Sequence, residues 1–148
     1  LIQSLIYREI MVYFSLFLVS FLGGSILPVS SELTLVGLLS GNNYNELALL
    51  VSASLGNILG AVCNWALGFY LLQYINKRWF PFTHKQIEKA SLWFKKFGLL
   101  SLLFAWVPIV GDPLTFAAGV LKVRFSFFLL LVSLGKIGRY FFLYYLVN

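Results

Sequence analysis

The sequence predicts an all-α integral membrane protein, an inverted repeat of a re-entrant (broken) helical hairpin plus a transmembrane helix, with an interfacial amphipathic helix between the repeats. Three observations carry this reading. First, of 148 residues 60% are hydrophobic and only 11% charged, whereas soluble domains carry roughly 25% charged residues. Second, charge-free runs reach membrane length. Third, two apolar stretches are each interrupted by a proline with an acid four residues later. The composition excludes a soluble enzyme and a disordered tail, and the single cysteine, Cys63, excludes a disulfide-stapled secreted module. A net charge of +6 would point to nucleic acid in a soluble chain. Here the basic residues flank apolar runs, so positive-inside topology accounts for them and no nucleic-acid partner is expected.

The length suits a single membrane domain over residues 1–148. Its expected divisions are repeat 1 at about 10–76, an amphipathic linker at 77–96 and repeat 2 at about 97–148. In repeat 1, Ile10–Ser31 is free of charge for 22 residues, Glu32 follows, and 13 uncharged residues lead to Asn45. Proline removes a helical hydrogen bond and clashes with the preceding turn. Non-helical backbone at membrane depth is tolerated only inside protein or beside water. Met11–Gly41, broken at Leu27-Pro28-Val29-Ser30-Ser31-Glu32, therefore reads as a re-entrant hairpin, with a kinked spanning helix as the alternative. Leu47–Asn76 is uncharged for 30 residues, more than the roughly 20 that cross the hydrocarbon core. Within it Gly56, Gly60, Asn64 and Gly68 recur every four residues, a small-residue stripe for close helix packing. Asn57 and Asn64 are placed to hydrogen-bond across that contact.

Lys77–Lys96 holds six Lys/Arg and the single acid Glu88. Ile87, Ala90, Phe94 and Phe97 recur at helical spacing, with Lys85, Glu88, Lys89, Lys95 and Lys96 on the other face, so this helix is expected on the membrane surface with its lysines toward anionic headgroups, a solvated linker being the alternative. Trp79, Phe80, Phe82 and Trp93 fit the headgroup level. Repeat 2 begins with Phe97–Leu121, broken at Val107-Pro108-Ile109-Val110-Gly111-Asp112-Pro113, and ends with the apolar run Phe125–Asn148, interrupted by Lys136 and Arg139. Pro28-x-x-x-Glu32-Leu33-Thr34 resembles Pro108-x-x-x-Asp112-Pro113-Leu114-Thr115, and Ser54-Leu55-Gly56 and Ser133-Leu134-Gly135 follow their prolines at nearly equal distance. One hairpin that returns to its own side plus one crossing inverts the second copy, an architecture of many transporters. Positive-inside bias then puts 77–96 and the Lys122/Arg124 pair on the cytoplasmic side.

Ionisable residues inside a membrane usually face the bundle interior and pair. Glu32, Asp112, Lys136 and Arg139 are the candidate site residues for substrate or protons. The repeat sets Glu32 against Asp112, and Lys136 and Arg139, three apart, share a helix face as counter-charges. The same groups would also serve as structural ion pairs fixing the hairpins. Pro28, Ser31, Pro108, Gly111, Pro113 and Asn57 are the residues expected to break or support the hairpins. His84 stands alone, so no metal is expected. Cys63 reads as a small packing residue. Ser30 and Ser31 have no histidine partner for a nucleophilic triad. No catalytic or cofactor motif occurs, so neither an enzyme nor a cofactor is expected.

At these segments, together with Gly56-Asn57-x-Leu59-Gly60-x-x-x-Asn64, Trp106 and Gly135-Lys136-x-x-Arg139-Tyr140, the chain resembles the DedA family, proteins with a VTT (SNARE-associated) domain, in particular its small YqaA-type members. Larger members carry arginines around the second proline, where Ala105 and Gly111 stand here. The resemblance implies a multi-pass bacterial inner-membrane protein with two opposed re-entrant hairpins. It also implies movement of lipids across the bilayer, as in undecaprenyl phosphate recycling or phospholipid scrambling, with links to proton-motive force and envelope integrity. The expected function is thus a flippase- or scramblase-like protein for a lipid or amphiphile. A proton- or ion-coupled small-solute transporter and a structural membrane protein are the alternatives. Membrane lipids are the expected partners, and a homodimer is admitted.

Overall fold

The computed structural model describes residues 1–24, 31–41, 43–80, 82–107 and 110–147, with the backbone alone at 31, 32 and 72. Six α-helices follow in order: α1 (Ile2–Gly24), α2 (Ser31–Ser40), α3 (Glu46–Tyr70), α4 (His84–Phe97), α5 (Gly111–Val120) and α6 (Phe125–Val147). A 3-10 segment, Gly98–Trp106, leads from α4 towards α5. The helices α1, α3 and α6, of 23, 25 and 23 residues, are long and apolar enough to cross a membrane. At 1.5 Å per residue these are about 35 Å long, against a hydrocarbon core of about 30 Å. The 10-residue α2 and α5 reach only about 15 Å.

Charges bound the starts of α3, at Glu46, and of α6, just after Arg124, whereas α3 ends at Tyr70, short of Lys77. The helix α1 starts earlier than Met11, because the exposed pair Arg8–Glu9 continues a helix as readily as it ends one. Pro28, Ser30 and Pro108 lie outside the described residues, as do the side chains of Ser31 and Glu32.

The chain divides into two compact units. The first comprises residues 1–60 and 137–148, hence α1, α2, the opening of α3 and the close of α6. Its core is Leu16, Leu35, Leu39, Leu49, Leu50, Ala53 and Tyr140. The glycine stripe allows close approach here: a Cβ at Gly56 would run into the Phe17 carbonyl oxygen, and Gly24 abuts the Asn57 backbone. Asn57 Nδ2 donates to the Ser20 carbonyl at 3.4 Å. At the start of α3, the Asn45 carboxamide oxygen accepts from the Ala48 N–H at 3.0 Å, an N-cap. The Tyr13 hydroxyl accepts from the Asn45 N–H at 3.1 Å, and the Tyr144 hydroxyl donates to Glu46 Oε2 at 2.7 Å.

The second unit, residues 61–136, holds the close of α3, then α4, the 3-10 segment, α5 and the opening of α6. Its core includes Ala61, Phe94, Leu102, Leu114, Phe128 and Val132. Thr83 and Gln86 close a reciprocal capping box at the start of α4, and Gly98, at φ 65°, ends that helix. Ala90 and Phe94 are buried while the lysines of α4 are exposed, as the amphipathic spacing predicts. Phe80 and Phe82 are buried against Phe116, with ring centroids 5.5 and 4.7 Å away. One expectation is corrected here. Cys63 is on the exposed face of α3, one position from the buried stripe, and packs into no core.

Candidate functional site

The 3-10 segment and α5 flank the break in the second apolar stretch. The Val107 N–H donates to the Phe104 carbonyl at 3.0 Å, ending the first arm, and the Gly111 N–H donates to the Val107 carbonyl at 2.8 Å. A Cβ at Gly111 would collide with the Ala105 carbonyl oxygen. Ala105 and Gly111 are thus in backbone contact, and Gly111 has no room for any side chain. Pro113 lies in the first turn of α5, where a proline forfeits no helical hydrogen bond. Asp112 shares that turn, beside the positive end of the helix dipole.

Two other helices meet this turn. Thr115 Oγ1 donates to the Asp112 carbonyl at 2.8 Å and accepts from Asn64 Nδ2 of α3 at 3.2 Å. Both side chains are fully buried. Lys136 of α6 is 4% exposed, and its charge and that of the half-buried Asp112 act on each other. The chemistry available is that of a half-buried carboxyl group and a buried amine at the start of α5: binding a polar or charged group, or holding a proton.

The helices are held close by paired glycines. A Cβ at Gly68 would meet the Phe116 carbonyl oxygen, and one at Gly119 the Trp65 carbonyl oxygen, so α3 and α5 cross backbone to backbone. Gly135 of α6 lies similarly against the Leu103 carbonyl. Trp65 Nε1 donates to the Val123 carbonyl at 3.2 Å, fixing the turn in which Lys122 takes φ 55°.

Of the sequence-predicted residues, Asp112, Lys136, Gly111 and Pro113 come together in the second unit. Asn57 supports the first unit, through Ser20. Arg139, three residues beyond Lys136, is half-buried and falls in the first unit, with Tyr140 as an electrostatic neighbour. Glu32 is the second residue of α2, in the first unit. Sequence reasoning missed Thr115 as the residue joining α3 to α5, and Trp65 as the donor that holds the α5–α6 turn. The recurrence of Thr34 and Thr115 after the two acids was the available signal for the former.

The VTT domain matches residues 27–148. The inner membrane protein YqaA of Escherichia coli is 37% identical over 134 residues, 89% of this chain and 88% of that protein. An uncharacterized protein of Haemophilus influenzae is 33% identical over 137 residues, 84% of this chain and 80% of its own. Undecaprenyl phosphate transporter A of Staphylococcus aureus is 25% identical over 119 residues, 74% of this chain and 59% of that protein. No solved structure matches the chain. The chain is thus a multi-pass inner-membrane protein, and it belongs to the DedA (VTT-domain) family.

Proposed function

We propose that the protein moves a lipid or amphiphile across the inner membrane, without covalent chemistry, through two re-entrant hairpins arranged as an inverted repeat. The observation that carries this reading is the Asp112–Lys136 pair, a carboxylate and a buried ammonium set where two arms, each too short to cross the bilayer, meet. Charge is costly to place in a membrane and is kept where a polar group must pass or bind.

The duplicated plan has support beyond the matching motifs. Each unit holds one hairpin segment, the opening part of the long helix that follows it, and the closing part of the other long helix. In each, a glycine of the Ser-Leu-Gly motif abuts the arm that precedes the proline: Gly56 on α1, Gly135 on the 3-10 segment. Glu32 is the counterpart of Asp112 in this scheme, and Arg139 the further cation that would meet an anionic headgroup. The relative named for undecaprenyl phosphate transport favours an amphiphile over a small solute as the cargo.

The test is transbilayer movement of fluorescent lipid in vesicles holding the purified protein. The wild type should accelerate movement over protein-free vesicles. Glu32→Gln and the double variant Asp112→Asn/Lys136→Met should remain folded and lose that acceleration. Variants that move lipid at the wild-type rate would remove these charges from the mechanism.

A further inference from the structure

We infer that the groove between α4 and α5 is a seat for one anionic membrane glycerophospholipid, its headgroup phosphate between Lys85 and Lys89 and its first apolar segment against Trp93, Val110 and Pro113. The cavity is about 290 Å³ and lies within the second unit. That volume is at the lower end of small-ligand sites, which suits a headgroup and its linkage better than a whole lipid. The walls differ in kind. From α4 come Lys85, Gln86 and Lys89, all exposed, and the half-buried Trp93; from α5 and the residue before it come buried Pro113 and half-buried Val110. Two cations and a carboxamide at the rim, an apolar floor and no acid in the lining make a surface complementary to a phosphate diester with a chain attached.

The helix itself argues for a bilayer source. Its apolar face is turned inward through Ala90 and Phe94, its lysines outward, and a tryptophan lies at the boundary, the arrangement of a helix in the headgroup plane. A lipid held there differs from a diffuse counter-charge. Lys77 and Lys95 belong to the same basic stretch but do not line the groove. The groove wall also comes from both sides of Asp112 in sequence, Val110 and Pro113, so the seated lipid would stand next to the break of the second hairpin. This inference rests on placing α4 at the interface and not on lipid movement, so either proposal can fail while the other stands.

The test uses the full chain in mixed micelles, titrated with phosphatidylglycerol or with phosphatidylcholine and read by native mass spectrometry as bound lipid. Each lysine near an anionic headgroup is worth about a factor of five, so phosphatidylglycerol should be held roughly 30-fold more strongly than phosphatidylcholine. Lys85→Gln/Lys89→Gln should abolish that preference, whereas Lys77→Gln/Lys95→Gln, with the same charge removed, should keep it. Phosphatidylglycerol brominated on its acyl chains should quench fluorescence in the wild type, and Trp93→Phe should remove that quenched component. Equal loss in both double variants would show diffuse attraction and overturn the seat. Displacement of the lipid by glycerol 1-phosphate or by an acidic peptide would overturn it as well, the occupant then being a soluble anion.

Discussion

Substitution of Gly68 by alanine tests the packing on which the candidate site depends. A Cβ there would stand 2.9 Å from the Val120 nitrogen and 3.2 Å from the Phe116 carbonyl carbon, and closer still to the Phe116 oxygen. These are backbone atoms that no rotamer change can move. Carbon settles at about 3.3–3.6 Å from oxygen, so α3 and α5 must part by on the order of 1 Å. Overpacking of this kind costs about 1–3 kcal/mol. The Asn64–Thr115 hydrogen bond, one turn earlier on α3, stretches with it, and such bonds in membrane proteins average about 0.6 kcal/mol. Alanine returns up to about 1 kcal/mol of helix propensity. The net loss is therefore about 0.6–2.6 kcal/mol, a fall of roughly 1–10 °C in thermal unfolding in detergent. Gly138→Ala is the control, since nothing lies within 4 Å of a Cβ at that position. It keeps the propensity gain without the collision and should melt at or above the wild-type temperature. A Gly68→Ala protein as stable as Gly138→Ala would refute the claim of a backbone-to-backbone crossing.

Other predictions follow from the same geometry. Asp112→Asn removes the carboxylate whose charge acts on buried Lys136 and should cost about 1–3 kcal/mol, between the exposed and the buried limits for opposite charges; adding Lys136→Met should recover part of that stability, so a double-mutant cycle in thermal unfolding that shows simple additivity would separate the two residues. Trp65→Phe removes the hydrogen bond to the Val123 carbonyl and should cost about 0.5–1.5 kcal/mol beyond lost packing. Its signature is faster hydrogen exchange at Lys122–Arg124, and unchanged exchange there would remove Trp65 as the anchor of that turn.

Much of this protein is written in where its charges fall. The start of α3 at Glu46 and the start of α6 after Arg124 are readable because an apolar run cannot extend through charges that must stay at the membrane edge, whereas the close of α3 at Tyr70, short of Lys77, carries no such mark. The amphipathic helix α4 is readable from its period, whereas the capping box of Thr83 and Gln86 at its start went unread. The same logic failed at Arg8–Glu9, since a charged pair at an exposed helix end carries no stop signal. The 3-10 form of Gly98–Trp106 has no signature in an apolar stretch that suits an α-helix equally well. At the site, Asp112 and Lys136 stood out because charge inside apolar sequence is conspicuous. Thr115 and Trp65 did not, because a threonine or tryptophan in a membrane helix is ordinary until its partner on another element is known. The packing of Phe80 and Phe82 on Phe116 was equally unreadable, because nothing near a basic stretch says which apolar side chain of another element an aromatic will meet.

The central claim is that the two breaks belong to hairpins that insert from opposite faces of the membrane. It meets its sharpest alternative in α1, whose 23 residues are enough to cross the bilayer unaided. Single cysteines at Gln3, Asn43 and Glu88, all exposed, placed in a Cys63→Ala background and labelled with an impermeant thiol reagent from one side at a time, decide between them. The account predicts that Gln3→Cys and Asn43→Cys react from the outer face and Glu88→Cys from the cytoplasmic face alone. Reaction of Gln3→Cys and Asn43→Cys from opposite faces would make α1 a spanning helix, and reaction of Asn43→Cys and Glu88→Cys from the same face would end the inverted repeat.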